Sequence, residues 1–123
     1  MDTLHPNGWP RPAGFSYGLA ARGRIVAVAG MTAPGTDFVT QARESLAKIL
    51  AVVAEAGVQP EHVVRLTWYA LSRDEYMGAR PKLGEAYRDL FGRHFPAMTL
   101  VEVSALVDDW AKVEIEALAV VPD

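Results

Sequence analysis

Between Val63 and Leu71 apolar and polar residues alternate, with Val63, Arg65, Thr67 and Tyr69 on one side and Val64, Leu66, Trp68 and Ala70 on the other. A period of two predicts a strand. Two more such segments lie within "HFPAMTLVEVSALVDDWAKVEIEALAVV", His94 to Val121. In the first, Met98, Leu100, Glu102, Ser104 and Leu106 share a face. In the second, Lys112, Glu114 and Glu116 share one face and Val113, Ile115, Ala117 and Ala119 the other. Earlier, "FSYGLAARGRIVAVAGM" predicts strands over Phe15–Ala21 and Ile25–Met31, turning at Arg22-Gly23-Arg24. The unbroken small-apolar run Ile25-Val26-Ala27-Val28-Ala29 predicts a strand buried on both faces.

The pattern changes to a helical period after Asp37, a suitable N-cap. Phe38, Ala42, Leu46, Leu50 and Val53 recur on one stripe, Ile49 widens it, and Gly57 is placed to end the helix. In "SRDEYMGARPKLGEAYRDLFGRHF" the period is interrupted by Gly78 and Pro81. Because proline in a helix interior removes a hydrogen bond, the expectation is an irregular turn through Gly78 and a helix from about Arg80 to His94. Leu83, Tyr87, Leu90 and Phe91 would form its buried face. Residues 1–14, with three prolines and two glycines, read as an extended arm.

The order β-β-α-β-α-β-β within 123 residues predicts one α+β domain over 1–123, a mixed sheet with two helices on one face. Two helices cover one side of a sheet. An apolar opposite face would be sticky, and oligomerisation is the economical way to cover it. The carboxylates of the last strands would then lie near a subunit interface.

Composition narrows the function classes. Net charge is −3 with no block of like charges, which disfavours nucleic-acid and membrane-surface partners. The absence of cysteine excludes disulfides, a thiolate nucleophile and cysteine metal sites. No stretch approaches the roughly 18 apolar residues of a membrane span, and "MDTLHPNGWPRPAG" lacks the form of a signal peptide, so a cytoplasmic location is expected. His5, His62 and His94 lack metal-ligand spacing. His62 reads as a surface residue, and His94 as a cation at a helix C-terminus. Trp9, Trp68 and Trp110 read as core or interface anchors. Glu114 either holds and activates a water in a cleft or lies on a solvated face paired with Lys112 or an arginine.

The ordered set "GFSYGLAARGRIVAVAGMTA", "QARESLAKILAVVAEAGVQPEHVVRLTWYA", "FGRHFPAMTLVEVSAL" and "VEIEALAV" resembles the RidA/YjgF family from Gly14 to Val121. The resemblance implies a chorismate-mutase-like α+β fold, a homotrimer with clefts between subunits, no metal and no cofactor. It also implies hydrolysis of reactive enamines and imines, such as 2-aminoacrylate, to ketoacids and ammonia. In the family's best-known branch an arginine after "FPA" forks onto the substrate carboxylate, and the first glutamate of "EIEA", with backbone carbonyl, holds the attacking water.

Here the arginine position is Met98, and the small residue two places on is Leu100. The family's cleft tyrosine falls at Ser16, with Tyr17 displaced by one, and its "SGQ" turn reads Ala29-Gly30-Met31. The glutamate is kept as Glu114, and extra residues appear around "EYMGARPKLG". Met31, Met98 and Leu100 make the cleft more apolar, so a small α-imino acid would bind poorly without a cation to offset its desolvation. Arg80 and Arg65 are the candidate replacement anchors. The reading is a deaminase of a larger or less acidic enamine or imine, with Glu114 catalytic and Ser16, Tyr17, Gly30, Met31, Met98 and Leu100 shaping the cleft. The alternative is a non-catalytic trimer that binds an apolar ligand or a protein partner. A nuclease role, sometimes attached to the family, finds no support in this acidic chain.

Overall fold

A computed structural model describes residues 1–123. Its elements are β1 (Asp2–Leu4), β2 (Gly18–Ala20), β3 (Arg24–Met31), α1 (Phe38–Ala54), β4 (Val63–Ala70), α2 (Arg73–Phe91), β5 (Ala97–Glu102) and β6 (Val113–Val121). Four strands form the main sheet in the order β3-β6-β4-β5. β4 and β5 run parallel, while β6 is antiparallel to both β3 and β4. Parallel neighbours need a long crossover, and α2 supplies the one from β4 to β5. Both helices lie against the same face, giving the predicted α+β arrangement.

Helix α1 begins where expected. The Asp37 side chain accepts the Thr40 amide (2.8 Å), which holds its carboxyl below the usual range. Phe38, Ala42, Leu46, Ile49 and Val53 are all buried. They meet Leu66 and Trp68 of β4 and Val113, Ile115, Ala117 and Ala119 of β6 in one core. The stripe also carries Gln41, whose Nε2 donates to the Gly35 carbonyl (3.1 Å) while its Oε1 accepts the Lys112 amide (2.8 Å). This buried amide ties two loops to α1.

The strand through Met98 stops at Glu102, before Ser104 and Leu106, and three larger expectations need correction. The Phe15–Ala21 strand is reduced to β2, which pairs with β1 in a separate two-stranded sheet instead of forming a hairpin with β3. The N-terminal arm therefore folds back on the chain. A Cβ at Gly23 would overlap the Val121 carbonyl, so the chain turns there against the end of β6. Second, α2 starts seven residues before Arg80, passes through Pro81 and ends at Phe91, short of His94. Ser72 Oγ accepts the Glu75 amide (3.1 Å), Asp74 and Glu75 occupy the first turn, and Pro81 lies on the exposed side. A good cap, acidic residues at the helix dipole and a buried Leu83–Ala86–Phe91 face outweigh the broken hydrogen bond. Third, β3 is not buried on both faces within one chain: Val28 is in the core, but Ile25 is 74% exposed. With Val101 and Leu118, it leaves apolar surface on the face away from the helices.

Candidate active site

Strand register decides which candidates meet. Leu66 pairs with Met98 and Trp68 with Leu100, so Met98 and Leu100 share the helix-side face with two core residues. Tyr69 pairs with Glu114, which puts Glu114 on the opposite face. The two halves of the expected cleft thus lie on opposite sides of one sheet.

On the outer face the carboxylates have different fates. Glu116 accepts a hydrogen bond from the Tyr69 hydroxyl (2.7 Å), and this bond raises the phenol above its usual range. Lys112 Nζ turns to Glu75 (3.3 Å), not to Glu114. Glu114 has neither a hydrogen-bond nor an ion-pair partner within the chain, and it is half-buried over Gly30. A Cβ on Gly30 would overlap the Glu114 carboxylate, so glycine alone admits this approach. The strand register shifts between Val28 and Met31, next to this contact. Glu102, on the helix side of the sheet with Met98 and Leu100, has a structural part. Its Oε1 accepts the Arg73 amide (2.8 Å) and so caps the N-terminus of α2.

On the helix side, α2 and β5 enclose a groove of about 930 Å³. Leu66, Trp68, Leu83, Met98 and Leu100 line it, Tyr76 and Tyr87 add aromatic rings, and Arg80 and Arg88 reach it from α2. Burial raises the phenols of Tyr76 and Tyr87. A predominantly apolar pocket of this size with a few polar groups is the form that small-molecule sites take.

The sequence profile of the family described as Endoribonuclease L-PSP matches residues 10–121. A RutC family protein of Pyrococcus horikoshii is 33% identical, over 96% of each chain. The chain belongs to the RidA/YjgF family. A 2-iminobutanoate/2-iminopropanoate deaminase of Escherichia coli is 34% identical over 87 residues, 68% of this chain and 64% of that protein. In structure, a conserved Rid family protein of unknown function from Yersinia pestis superposes with a TM-score of 0.83 at 26% identity, covering 98% of both chains.

Ser16 lies at the start of β5, bridging Ala97 beside Met98, while Tyr17 turns to the N-terminal arm. The Ser16 hydroxyl donates to the Phe95 carbonyl (2.6 Å), and its amide donates to Pro96, which pins β2's approach to the start of β5. The Tyr17 hydroxyl donates to Pro10 (2.9 Å), and its ring packs edge-on against Trp9. Both side chains line a second cavity of about 850 Å³, under the N-terminal arm. Met31 packs towards the core. Of the two alternative arginines, Arg80 lines the groove, whereas Arg65 is exposed on the outer face. His94 lies beyond the helix end and contacts the Val63 carbonyl (2.6 Å), and His62 accepts the Gln59 amide (3.0 Å) in a capping box. Both roles are structural. Trp68 is a core anchor, while Trp9 and Trp110 are exposed. No group of three or more His, Asp or Glu side chains is placed to hold a metal ion, and no helix is long and apolar enough to cross a membrane.

The sequence reading missed Arg88, Tyr76 and the groove role of Trp68. The placement of Trp68 beside Leu66 was available from alternation, but the approach of α2 was not.

Proposed function

We propose that this chain is a hydrolytic deaminase of an enamine or imine, with Glu114 handling the attacking water and the α2–β5 groove holding the organic part of the substrate. The observation that carries this reading is Glu114. Of the three carboxylates in the last strands, Glu102 caps a helix and Glu116 holds Tyr69, while Glu114 is unpaired over a glycine that only leaves it room. The named activity of the E. coli relative points to the same chemistry.

Water adds to the imine carbon as the C=N π pair moves to nitrogen. Glu114 accepts the proton released by the water and passes it to nitrogen. The hydroxyl proton of this adduct then moves, again through Glu114, to the nitrogen, so that C=O forms as the C–N bond breaks and ammonia leaves. Imine hydrolysis is intrinsically easy, so a positioned water and one carboxylate suffice.

Because Glu114 and the groove lie on opposite faces of one chain, the reading requires Glu114 of one copy to meet the groove of another. A homotrimer meets this need and also covers the apolar outer face around Ile25, Val101 and Leu118. Light scattering should give three times the 13.4 kDa chain mass. Ammonia release from imines generated in situ tests the activity. It should exceed the uncatalysed background and vanish in Glu114→Gln; a wild-type rate equal to background contradicts the reading. The apolar floor of the groove favours one alternative, a trimer that binds an apolar ligand without turnover, for which Glu114→Gln would change nothing.

A further inference from the structure

The α2–β5 groove carries a feature that the loss of arginine at position 98 does not explain. Its lining includes two arginines and no carboxylate. Neither Arg80 nor Arg88 forms an ion pair within the chain, although Arg43 and Arg73 do. A positive rim over an apolar floor is complementary to an amphipathic anion, and a guanidinium suits a carboxylate through its paired N–H donors.

Two further observations point to a ligand. Trp68 Nε1 and Tyr87 Oη are buried without hydrogen-bond partners, and both residues line the groove. Trp68 is only 4% exposed. Buried donors without partners are uncommon and costly, and both atoms are closed off in the groove wall, so a ligand acceptor would relieve them as the side chains turn towards the groove. The middle of α2 also bears Gly78, Pro81 and Gly84, all in the groove wall. A Cβ at Gly78 would touch nothing within 4 Å, and one at Gly84 would meet only the Arg88 side chain at 3.6 Å. Neither glycine has a positive φ. Packing and backbone conformation therefore require neither, and each weakens the helix relative to alanine. What they do is keep the wall low and the groove wide.

We propose that the groove binds a carboxylate with a bulky apolar or aromatic substituent, with Arg80, supported by Arg88, as the carboxylate anchor in place of the arginine absent at Met98. This rests on the deaminase reading and names its substrate class: imino acids with large apolar side chains. The anchor moves from the strand floor to the helix rim. The ligand must therefore span from Arg80 to the Met98–Leu100 floor, which a two-carbon side chain fills poorly.

Binding is tested apart from turnover by isothermal titration of the full-length protein with phenylpyruvate, 2-oxobutyrate and the neutral ketone phenylacetone. Phenylpyruvate should bind best. Arg80→Ala should weaken it roughly tenfold or more, the scale of a lost charge-assisted pair, and leave phenylacetone unchanged. Arg80→Lys should recover part of the loss, and circular dichroism of each variant should match wild type. The converse change, Met98→Arg, should strengthen 2-oxobutyrate. Equal affinity of wild type and the Arg80→Ala/Arg88→Ala double variant for phenylpyruvate, or no binding of it, overturns the proposal. The two levels fail separately. Phenylpyruvate binding that depends on Arg80 in a protein that releases no ammonia refutes the deaminase reading and keeps the anchor. Turnover of small imines without phenylpyruvate binding does the reverse.

Discussion

The two faces of β6 differ by one residue in register and entirely in fate. Val113, Ile115, Ala117 and Ala119 are buried against the helices, whereas Glu114, Glu116 and Leu118 face away from them. Along β6 the inner face closes within one chain, its apolar side chains packing into one core with α1 and β4. The outer face does not. It combines an exposed Ile25, a half-exposed Leu118 and a carboxylate without a partner in the chain. The lesson is that the packed inner face of β6 carries stability, whereas its outer face is, on the proposed reading, one half of a shared site.

Substitutions that break this contrast should separate by kind as well as size. The largest effect is expected from Glu114→Gln, a loss of about 10²–10⁴-fold in ammonia release with little change in thermal midpoint, the range for removing a positioned acid–base group. An unchanged rate would return Glu114 to the solvated-surface reading. On the inner face, Leu46→Ala should cost about 2–5 kcal/mol in urea unfolding, because it empties a fully packed position. A loss under 1 kcal/mol would mean that the α1 stripe does not form the core described here. Ser72→Ala should cost about 1 kcal/mol by removing the cap that starts α2 ahead of Pro81. Glu116→Gln sharpens the comparison from the other direction: it keeps an acceptor for Tyr69 and should leave turnover within a few-fold of wild type. The smallest effect concerns pH. The Asp37 carboxyl is lowered mainly by the Thr40 amide. Its contribution to stability is therefore present above the unfolded carboxylate range and is lost as pH falls through the folded value. Acid unfolding of Asp37→Asn should be less steep below about pH 4 than that of wild type; equal steepness would mean that the cap carries no charge-dependent part.

How much of this was legible in the sequence depends on how local each feature is. Helix α1 was fully legible, because Asp37, the apolar stripe and Gly57 lie in one continuous pattern. The alternation of β6 and of β4 from Arg65 onward was legible too, since a half-buried strand writes its faces into its own residues. A register shift between Val63 and Arg65, however, turns Val63 into the core instead of onto the face of Arg65, Thr67 and Tyr69. Helix α2 was legible only in its second half. Gly78 and Pro81 read as a break, and the features that override them include the Glu102 carboxylate, 29 residues beyond the amide it caps. The pairing of β2 with β1 was missed because a three-residue strand has no period to detect.

The site was legible in parts and not as an arrangement. Glu114, Met98 and Leu100 were identifiable singly, but the faces they occupy depend on the registers Tyr69–Glu114 and Leu66–Met98, which no local pattern encodes. For the same reason Arg80 and Arg65 were equivalent as replacement anchors until the approach of α2 to β5 separated them.

The central claim, that Glu114 of one copy serves the groove of another, is tested most directly by complementation. Glu114→Gln removes the carboxylate and keeps the groove, while Gly84→Trp fills the groove and keeps the carboxylate. Each purified alone should release ammonia from an active imine at the background rate. Mixed oligomers from co-expression should recover activity well above both parents, because some interfaces then pair an intact groove with an intact Glu114. Mixed oligomers as silent as their parents, confirmed as mixed by mass spectrometry, would contradict the shared site.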